Sequence, residues 1–156
     1  MIFGPAYKGI PLAAVVASAL YSKHGVDCGV AYNRKEPKDH GEGGVLVGAA
    51  LKGRRVLLID DVISAGTAIR EAFGILTEAG ATAAAVIIAL DRQERRSDED
   101  TSSAVDAVKA QFDVPVVAIA SLAQLSAFLA TNAGEEGVLP DTLAKIEAYR
   151  ARWGAK

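Results

Sequence analysis

The sequence has a single cysteine, Cys28, so it forms no internal disulfide bond and no cysteine-based zinc site. No apolar run approaches the roughly 20 residues of a membrane-spanning helix, and the first residues lack the basic and apolar regions of a signal peptide. The formal net charge of -2 gives no general attraction to nucleic acid or to a membrane surface. These absences favour a cytoplasmic protein whose anion binding comes from local clusters of basic residues.

The composition, 51% apolar and 23% charged over 156 residues, is that of one globular domain spanning residues 1–156. Segments of strand and helix character alternate along it, which predicts an α/β fold: a mostly parallel sheet with helices on both faces and ligand sites at the carboxyl ends of the strands. The predicted strands are residues 1–3, 27–33, 45–47, 55–59, 83–90 and 115–120. The predicted helices are 10–24, which we interpret as buried, 67–79, 102–112, 122–130 and 140–153.

The most informative motif is VLLIDDVISAGTAIRE, residues 56–71, in which an apolar strand ends in two acids and a short loop leads into a helix. Backbone N–H groups of residues 63–67, the Thr67 hydroxyl and the positive end of the helix suit a phosphate monoester. The carboxylates of Asp60 and Asp61 suit vicinal sugar hydroxyls or a hydrated Mg²⁺. A capped strand end followed by a tight turn is the alternative, but acids, small-residue loop and threonine together favour a binding site.

Two other nucleotide motifs are excluded. The chain contains no GxxxxGK[ST], and GEGGVLVG does not fit GxGxxG after a strand. The run 56–71 instead resembles the phosphoribosyl-pyrophosphate (PRPP) signature of the type I phosphoribosyltransferases. That resemblance implies their Rossmann-like fold. It also implies that PRPP carries Mg²⁺, with Asp60 and Asp61 as candidate partners of the ion through water. The residues implied to contact PRPP are Asp60, Asp61, Val62, Ile63, Ser64, Ala65, Gly66, Thr67 and Ala68.

A second motif, RKEPKDHGEGG at residues 34–44, has no apolar residue and is predicted to be an exposed, mobile loop. Its glycines suit a lid that closes over pyrophosphate and excludes water, whereas a solvated charged hairpin is the ordinary alternative. Its cations are Arg34, Lys35, Lys38 and His40.

This loop resembles the catalytic loop of the orotate phosphoribosyltransferases in particular. The resemblance implies that all four cations contact PRPP or pyrophosphate in catalysis, with Lys38 the main catalytic cation and either Lys38 or His40 as a proton donor. It also implies that the loop completes the site of a neighbouring subunit in a homodimer. The activity implied is transfer of ribose 5-phosphate from PRPP to orotate, giving orotidine 5′-monophosphate and pyrophosphate in pyrimidine biosynthesis.

Two shorter motifs add candidate contacts. FGPAYKG, residues 3–9, puts Tyr7 and Lys8 in a turn after a strand, where a lysine serves as a point charge for phosphate. Chance or a surface turn explains such a lysine more often than not, but a matching turn in the orotate enzymes contacts pyrophosphate. DRQER, residues 91–95, follows a strand, and Arg92 matches the orotate-binding arginine of that family, whose planar fork suits a carboxylate. Ser64 stands at the base-facing position of the phosphate loop, where a threonine is usual.

The family usually begins with a further N-terminal segment that carries a PRPP-contacting lysine and aromatic residues of the orotate pocket. This chain starts within a predicted strand, so we expect exposed apolar surface and weak orotate binding. Two alternatives follow: a phosphoribosyltransferase for another nucleobase, or a catalytically impaired PRPP-binding fragment. A PRPP-sensing regulator ranks below both, because it needs an added binding domain or a basic face.

Overall fold

The computed structural model describes residues 1–38, 44–132 and 141–155, with the backbone alone for residues 37 and 38. Strands and helices alternate along most of these residues, as the sequence predicts, apart from three successive strands after the first helix and two successive helices at the end. In chain order they are β1 (Ile2–Gly4), α1 (Gly9–His24), β2 (Val30–Lys38), β3 (Gly44–Gly48), β4 (Arg55–Asp60), α2 (Thr67–Glu78), β5 (Thr82–Asp91), α3 (Ala104–Phe112), β6 (Val116–Ser121), α4 (Leu122–Thr131) and α5 (Thr142–Trp153).

The strands form one sheet in the order β3-β2-β1-β4-β5-β6. Every neighbouring pair is parallel except β2 and β3, which form an antiparallel hairpin at one edge. The predicted mostly parallel sheet is therefore confirmed. The short β1 lies between β2 and β4, so the turn that follows it comes to the same edge of the sheet as the acids that end β4.

Alternate residues of each central strand pack against helices on opposite faces, which confirms the predicted layers. One apolar cluster contains Phe3, Leu58 and Val86 with residues of α2 and α3. The other contains Ile2, Ile59 and Ala13 of α1, with Ile87 packed against it. Because both faces of β1 and β4 are covered, the positions at the ends of these strands are fixed by close packing.

The prediction of a buried first helix is wrong. Only Gly9 and Ala13 of α1 are buried, and Val15 and Tyr21 are 66% and 65% exposed. One side of the helix covers the sheet, and Val15 and Tyr21 lie on the other side. The side facing the sheet also carries partly buried apolar residues, namely Leu12, Val16, Ala17 and Leu20. On the edge strand β6, Val117 and Ile119 are 55% and 79% exposed.

The predicted loop 34–44 also needs correction, because residues 34–38 belong to β2. They continue the hairpin with β3, where Asn33 pairs with Leu46 and Lys38 with Gly44 across a register shift. Residues 34–36 are half-buried or exposed, so this part of the hairpin needs no apolar residues, and charged side chains protect the edge of a sheet. Residues 39–43, which include His40 and the glycines 41 and 43, lie outside the described residues.

The C-terminal helix α5 packs against α4, and it is less buried than its pattern of apolar residues suggests. Leu143 and Ile146 are half-buried, while Tyr149 and Trp153 are exposed. The predicted start of this helix at residue 140 lies outside the described part of the chain. In the three described ranges, no helix has the length and apolar character needed to cross a membrane.

Candidate functional site

A cleft of about 370 Å³ opens at the carboxyl ends of β1 and β4. Its walls are Lys8 and every residue from Asp60 to Ile69. The structure therefore brings together the two acids, the small-residue loop and the lysine that the sequence analysis selected from separate motifs. Tyr7, the other residue selected in the first turn, is 71% exposed and does not line this cleft.

Asp60 and Asp61 are held by the neighbouring strand and by each other. The carbonyl of Asp61 accepts hydrogen bonds from the N–H groups of Ala89 and Leu90 in β5, at 2.9 and 3.0 Å. The N–H of Asp61 donates to Oδ1 of Asp60 at 2.9 Å. Asp60 is 8% exposed, and its burial raises the pKa of its carboxyl above the usual 3.8. Both acids line the cleft, but Asp60 is almost fully buried whereas the Asp61 side chain is 32% exposed.

Lys8 forms an ion pair with the second of these acids. Its Nζ lies 2.6 Å from Oδ2 of Asp61, and this hydrogen bond raises the pKa of the lysine. Burial alone would raise the pKa of Asp61, but hydrogen bonds from Lys8 and from the N–H of Val62 outweigh it and hold the pKa below 3.8. Both groups are charged at neutral pH. The lysine side chain is 73% exposed, so it is free to turn toward a ligand in the cleft.

The turn that carries Lys8 is fixed by two kinds of contact. Oδ1 of the buried Asn33 in β2 accepts a hydrogen bond from the N–H of Ala6 at 3.0 Å. Gly4 and Gly9 pack so closely that a Cβ on Gly4 would lie 2.1 Å from the carbonyl oxygen of Gly9, which only glycine tolerates. Sequence reasoning missed Asn33, and the sequence carries no signal for a contact across 27 positions.

The phosphate-binding candidate loop ends at Gly66, whose φ of 75° lies in the left-handed region. Helix α2 begins at Thr67, so its N-terminus points into the cleft edge formed by the loop, an arrangement that favours anions. Arg70, one turn into the helix, folds back and donates from Nη2 to the carbonyl of Ala65 at 2.8 Å. Arg70 was also missed, and it holds the loop in its observed shape.

The two residues that resemblance assigned to orotate, Ser64 and Arg92, lie in contact. Nη2 of Arg92 donates to Oγ of Ser64 at 2.5 Å. Arg92 follows directly after β5, and the same Nη2 atom lies 2.9 Å from Oε2 of Glu94. The contact joins the end of β5 to the phosphate-binding candidate loop, although the two residues are 28 positions apart.

The cationic residues of the hairpin are placed only in part. Lys35 forms an ion pair with Glu71 of α2, with 3.3 Å between Nζ and Oε2. Nη1 of Arg34 donates to the carbonyl of Gly44 at 3.3 Å. The side chain of Lys38 and all of His40 lie outside the described residues. Within the described residues no group of three or more His, Cys, Asp or Glu side chains is arranged to hold a metal ion.

Comparison with known proteins first identifies the class of protein to which this site geometry belongs. Residues 1–120 match the family model of the phosphoribosyl transferase domain. A parallel sheet with an acid pair and a small-residue anion loop at the strand ends is the site expected of that class.

The relatives narrow the assignment. The chain is 55% identical over 154 residues to an orotate phosphoribosyltransferase of Xanthomonas campestris pv. campestris strain B100, covering 99% of this chain and 68% of that protein. It is 51% identical over 156 residues to an orotate phosphoribosyltransferase of Stenotrophomonas maltophilia strain K279a, covering 100% and 69%. A crystal structure of orotate phosphoribosyltransferase from Francisella tularensis superposes with a TM-score of 0.79 at 37% identity, covering 98% and 69%. The chain belongs to the orotate phosphoribosyltransferases, and these relatives are longer than it is.

Proposed function

We propose that the cleft beside Lys8 binds PRPP and that Arg92 and Ser64 bind orotate. The reaction of the family transfers the ribose 5-phosphate group of PRPP to a ring nitrogen of orotate, giving orotidine 5′-monophosphate and pyrophosphate. It is a step of pyrimidine biosynthesis. The single observation that carries the proposal for this chain is the 2.5 Å contact between Nη2 of Arg92 and Oγ of Ser64. It places an arginine suited to a carboxylate beside a loop suited to a phosphate.

The cleft offers a separate group for each part of PRPP. The loop of residues 62–66 and the N-terminus of α2, residues 67 and 68, suit the 5′-phosphate, because backbone N–H groups and the helix dipole both favour an anion. Asp60 and Asp61 accept hydrogen bonds from the ribose hydroxyls. Lys8 lines the cleft where the pyrophosphate would lie, with the exposed Tyr7 beside it in the turn after β1. The 2.6 Å contact between Lys8 and Asp61 must then be exchanged for contacts with substrate.

The nucleophile is a nitrogen of the orotate ring, which attacks the anomeric carbon with inversion as the bond to pyrophosphate breaks. Negative charge grows on the leaving pyrophosphate, so fixed cations stabilise the transition state more than the ground state. In this chain Lys8, Arg34, Lys35, Lys38 and His40 are the candidates for that role, with Lys38 the main one.

Mg²⁺ fits this site as a substrate-borne ion. The described residues include no cage of three acids, and Mg²⁺ usually binds through substrate phosphates, waters and one or two carboxylates. Asp61, charged and facing the cleft, and Asp60 offer those oxygens. When bound, Mg²⁺ offsets charge on the pyrophosphate.

A homodimer is proposed as the working form, with residues 34–44 of one subunit completing the neighbour's site. The support is the position of β2 and β3 at the edge of the sheet opposite β6, because these two strands carry the described ends of the segment 34–44. We also propose a cytoplasmic location, because PRPP is a highly charged metabolite that does not cross membranes unaided.

The test replaces Arg92 with alanine and follows the fall in orotate absorbance with PRPP and Mg²⁺. We expect kcat/KM for orotate to fall about 10- to 100-fold, the value of a charge-assisted hydrogen bond. The matched control is Arg96→Ala, because Arg96 lies in the same segment but pairs with Asp100. Equal activity of Arg92→Ala and the unsubstituted chain would overturn the orotate assignment.

The same assay separates the alternatives. Product formation with uracil or a purine but not with orotate would identify a phosphoribosyltransferase for another base. Binding of PRPP without turnover on any base would identify an impaired PRPP-binding protein.

A further inference from the structure

The carboxylate of Glu94 contacts Arg92, the arginine to which orotate binding is assigned. Oε2 of Glu94 lies 2.9 Å from Nη2 of Arg92, and the Glu94 side chain is 15% exposed while that of Arg92 is 32% exposed. The Nη2 atom is therefore shared between Glu94 and Ser64. A largely buried glutamate beside a substrate-binding arginine requires an explanation, because it offsets part of the charge that would attract orotate.

The backbone of Glu94 is fixed on both sides. Glu94 forms an antiparallel bridge with Gly154, closed by hydrogen bonds from the N–H of Arg95 to Trp153 and from the N–H of Ala155 to Gln93, at 2.9 and 2.8 Å. The carbonyl of Glu94 also accepts from the N–H of Ala104 at 3.3 Å. The C-terminal end of α5 and the start of α3 thus hold the glutamate in place.

The atoms of Arg92 and Glu94 that have no hydrogen-bond partner indicate the role of the glutamate. Nε of Arg92 and Oε1 of Glu94 are both buried, and neither has a hydrogen-bond partner in the described part of the chain. Nε and Nη2 form one edge of a guanidinium, and a carboxylate spans that edge with two parallel hydrogen bonds. A small rotation of either side chain would complete the second bond and leave Nη1 for a ligand.

We propose that Glu94 is a positioning residue for orotate recognition, which holds the Nε and Nη2 edge of Arg92 so that Nη1 meets the substrate's carboxylate while Nη2 keeps its hydrogen bond to Ser64. The inference rests on the proposed role of Arg92. An arginine fixed in advance loses less side-chain entropy when the substrate arrives. Charge alone predicts that removal of Glu94 tightens orotate binding, whereas positioning predicts that it weakens it.

Two substitutions of Glu94 in the intact chain distinguish the effect of its side-chain length from the effect of its charge. Glu94→Gln keeps the length and an acceptor oxygen without the charge, so KM for orotate stays within about twofold. Glu94→Asp keeps the charge but withdraws it by one methylene, so KM for orotate rises roughly fivefold, which corresponds to about 1 kcal/mol. KM for PRPP is unchanged in both. The control is Asp98→Ala, which removes the neighbouring ion pair to Arg95 and leaves both KM values unchanged.

A double-mutant cycle tests whether Glu94 acts through Arg92. Glu94→Ala raises KM for orotate in the unsubstituted background, and it has no further effect in the Arg92→Ala background. If Arg92→Ala impairs orotate use but neither Glu94→Asp nor Glu94→Ala does, the positioning inference is wrong and the function stands. If Arg92→Ala has no effect on orotate, both fail. A similar loss from Glu94→Ala in the two backgrounds would show a purely structural role.

Discussion

The glycine at the end of the phosphate-binding candidate loop gives the sharpest test of the site's geometry. Gly66 has a φ of 75°, and a Cβ built on it would lie 3.0 Å from Nη1 of Arg70. Gly66→Ala therefore strains the backbone and displaces the arginine that holds the loop through the carbonyl of Ala65. We expect both stability and PRPP binding to decrease.

The magnitude follows from two contributions. A left-handed conformation costs an alanine about 1–2 kcal/mol. The contact with Arg70 involves the far end of a flexible side chain, so it costs little directly, but weakening its hydrogen bond to Ala65 costs about 0.5–1.5 kcal/mol more. The sum is about 2.5 kcal/mol, which lowers Tm by about 5–10 °C for a chain of this size.

The control is the same substitution eight positions along the chain. Gly74 lies within α2, and a Cβ there would meet nothing within 4 Å. Gly74→Ala should stabilise the protein by about 0.5–1 kcal/mol, because alanine favours a helix interior. The measurements are thermal unfolding and KM for PRPP. A Gly66→Ala protein as stable as the unsubstituted chain, with the same KM, would refute the reasoning.

Three further predictions concern charge and assembly. Lys35→Ala and Glu71→Ala should each change the free energy of unfolding by less than about 0.5 kcal/mol, because the ion pair between the two residues is exposed. Only Lys35→Ala should raise KM for PRPP. Burial raises the pKa of Asp60, so the folded state binds a proton more readily than the unfolded chain and gains stability as pH falls toward 3.8. Urea unfolding of Asp60→Asn should lack that gain. If the gain persisted in this variant, the burial argument would be contradicted. If residues 34–44 complete the neighbouring site, mixing inactive Lys38→Ala and Asp61→Asn proteins should restore activity, whereas inactive mixtures together with a monomer in sedimentation would exclude the shared site.

The order of strands and helices, the layers and the contents of the cleft were predictable because they depend on local patterns. Apolar runs ending in acids mark the ends of β4 and β5, and parallel strands bring their carboxyl ends to one edge. Lys8, Asp61 and the loop therefore had to be neighbours once β1 and β4 were adjacent.

The remaining features depend on contacts between distant parts of the chain, for which a single sequence has no signal. The hydrogen bond of Asn33 to Ala6 spans 27 positions, and the bridge of Glu94 to Gly154 ties the C-terminus to the orotate-binding candidate. The charged residues 34–38 were predicted as a loop because they lack apolar residues, but an edge hairpin requires none. The exposed side of α1 was missed because composition shows only that a helix is apolar, not how much of it is covered.

The Lys8–Asp61 contact indicates how two opposite charges of the site are neutralised before substrate binds. A lysine and an acid placed for pyrophosphate and ribose would leave unbalanced charges in an empty cleft, but at 2.6 Å they neutralise each other. The pair is partly exposed, so the contact stabilises the fold only weakly and is exchanged at little cost. Asp60 needs no such partner, because it is buried and accepts a hydrogen bond from the N–H of Asp61. In the proposed roles of these residues, PRPP binding would replace one internal contact with two contacts to substrate, so most of the difference would be available for recognition of PRPP.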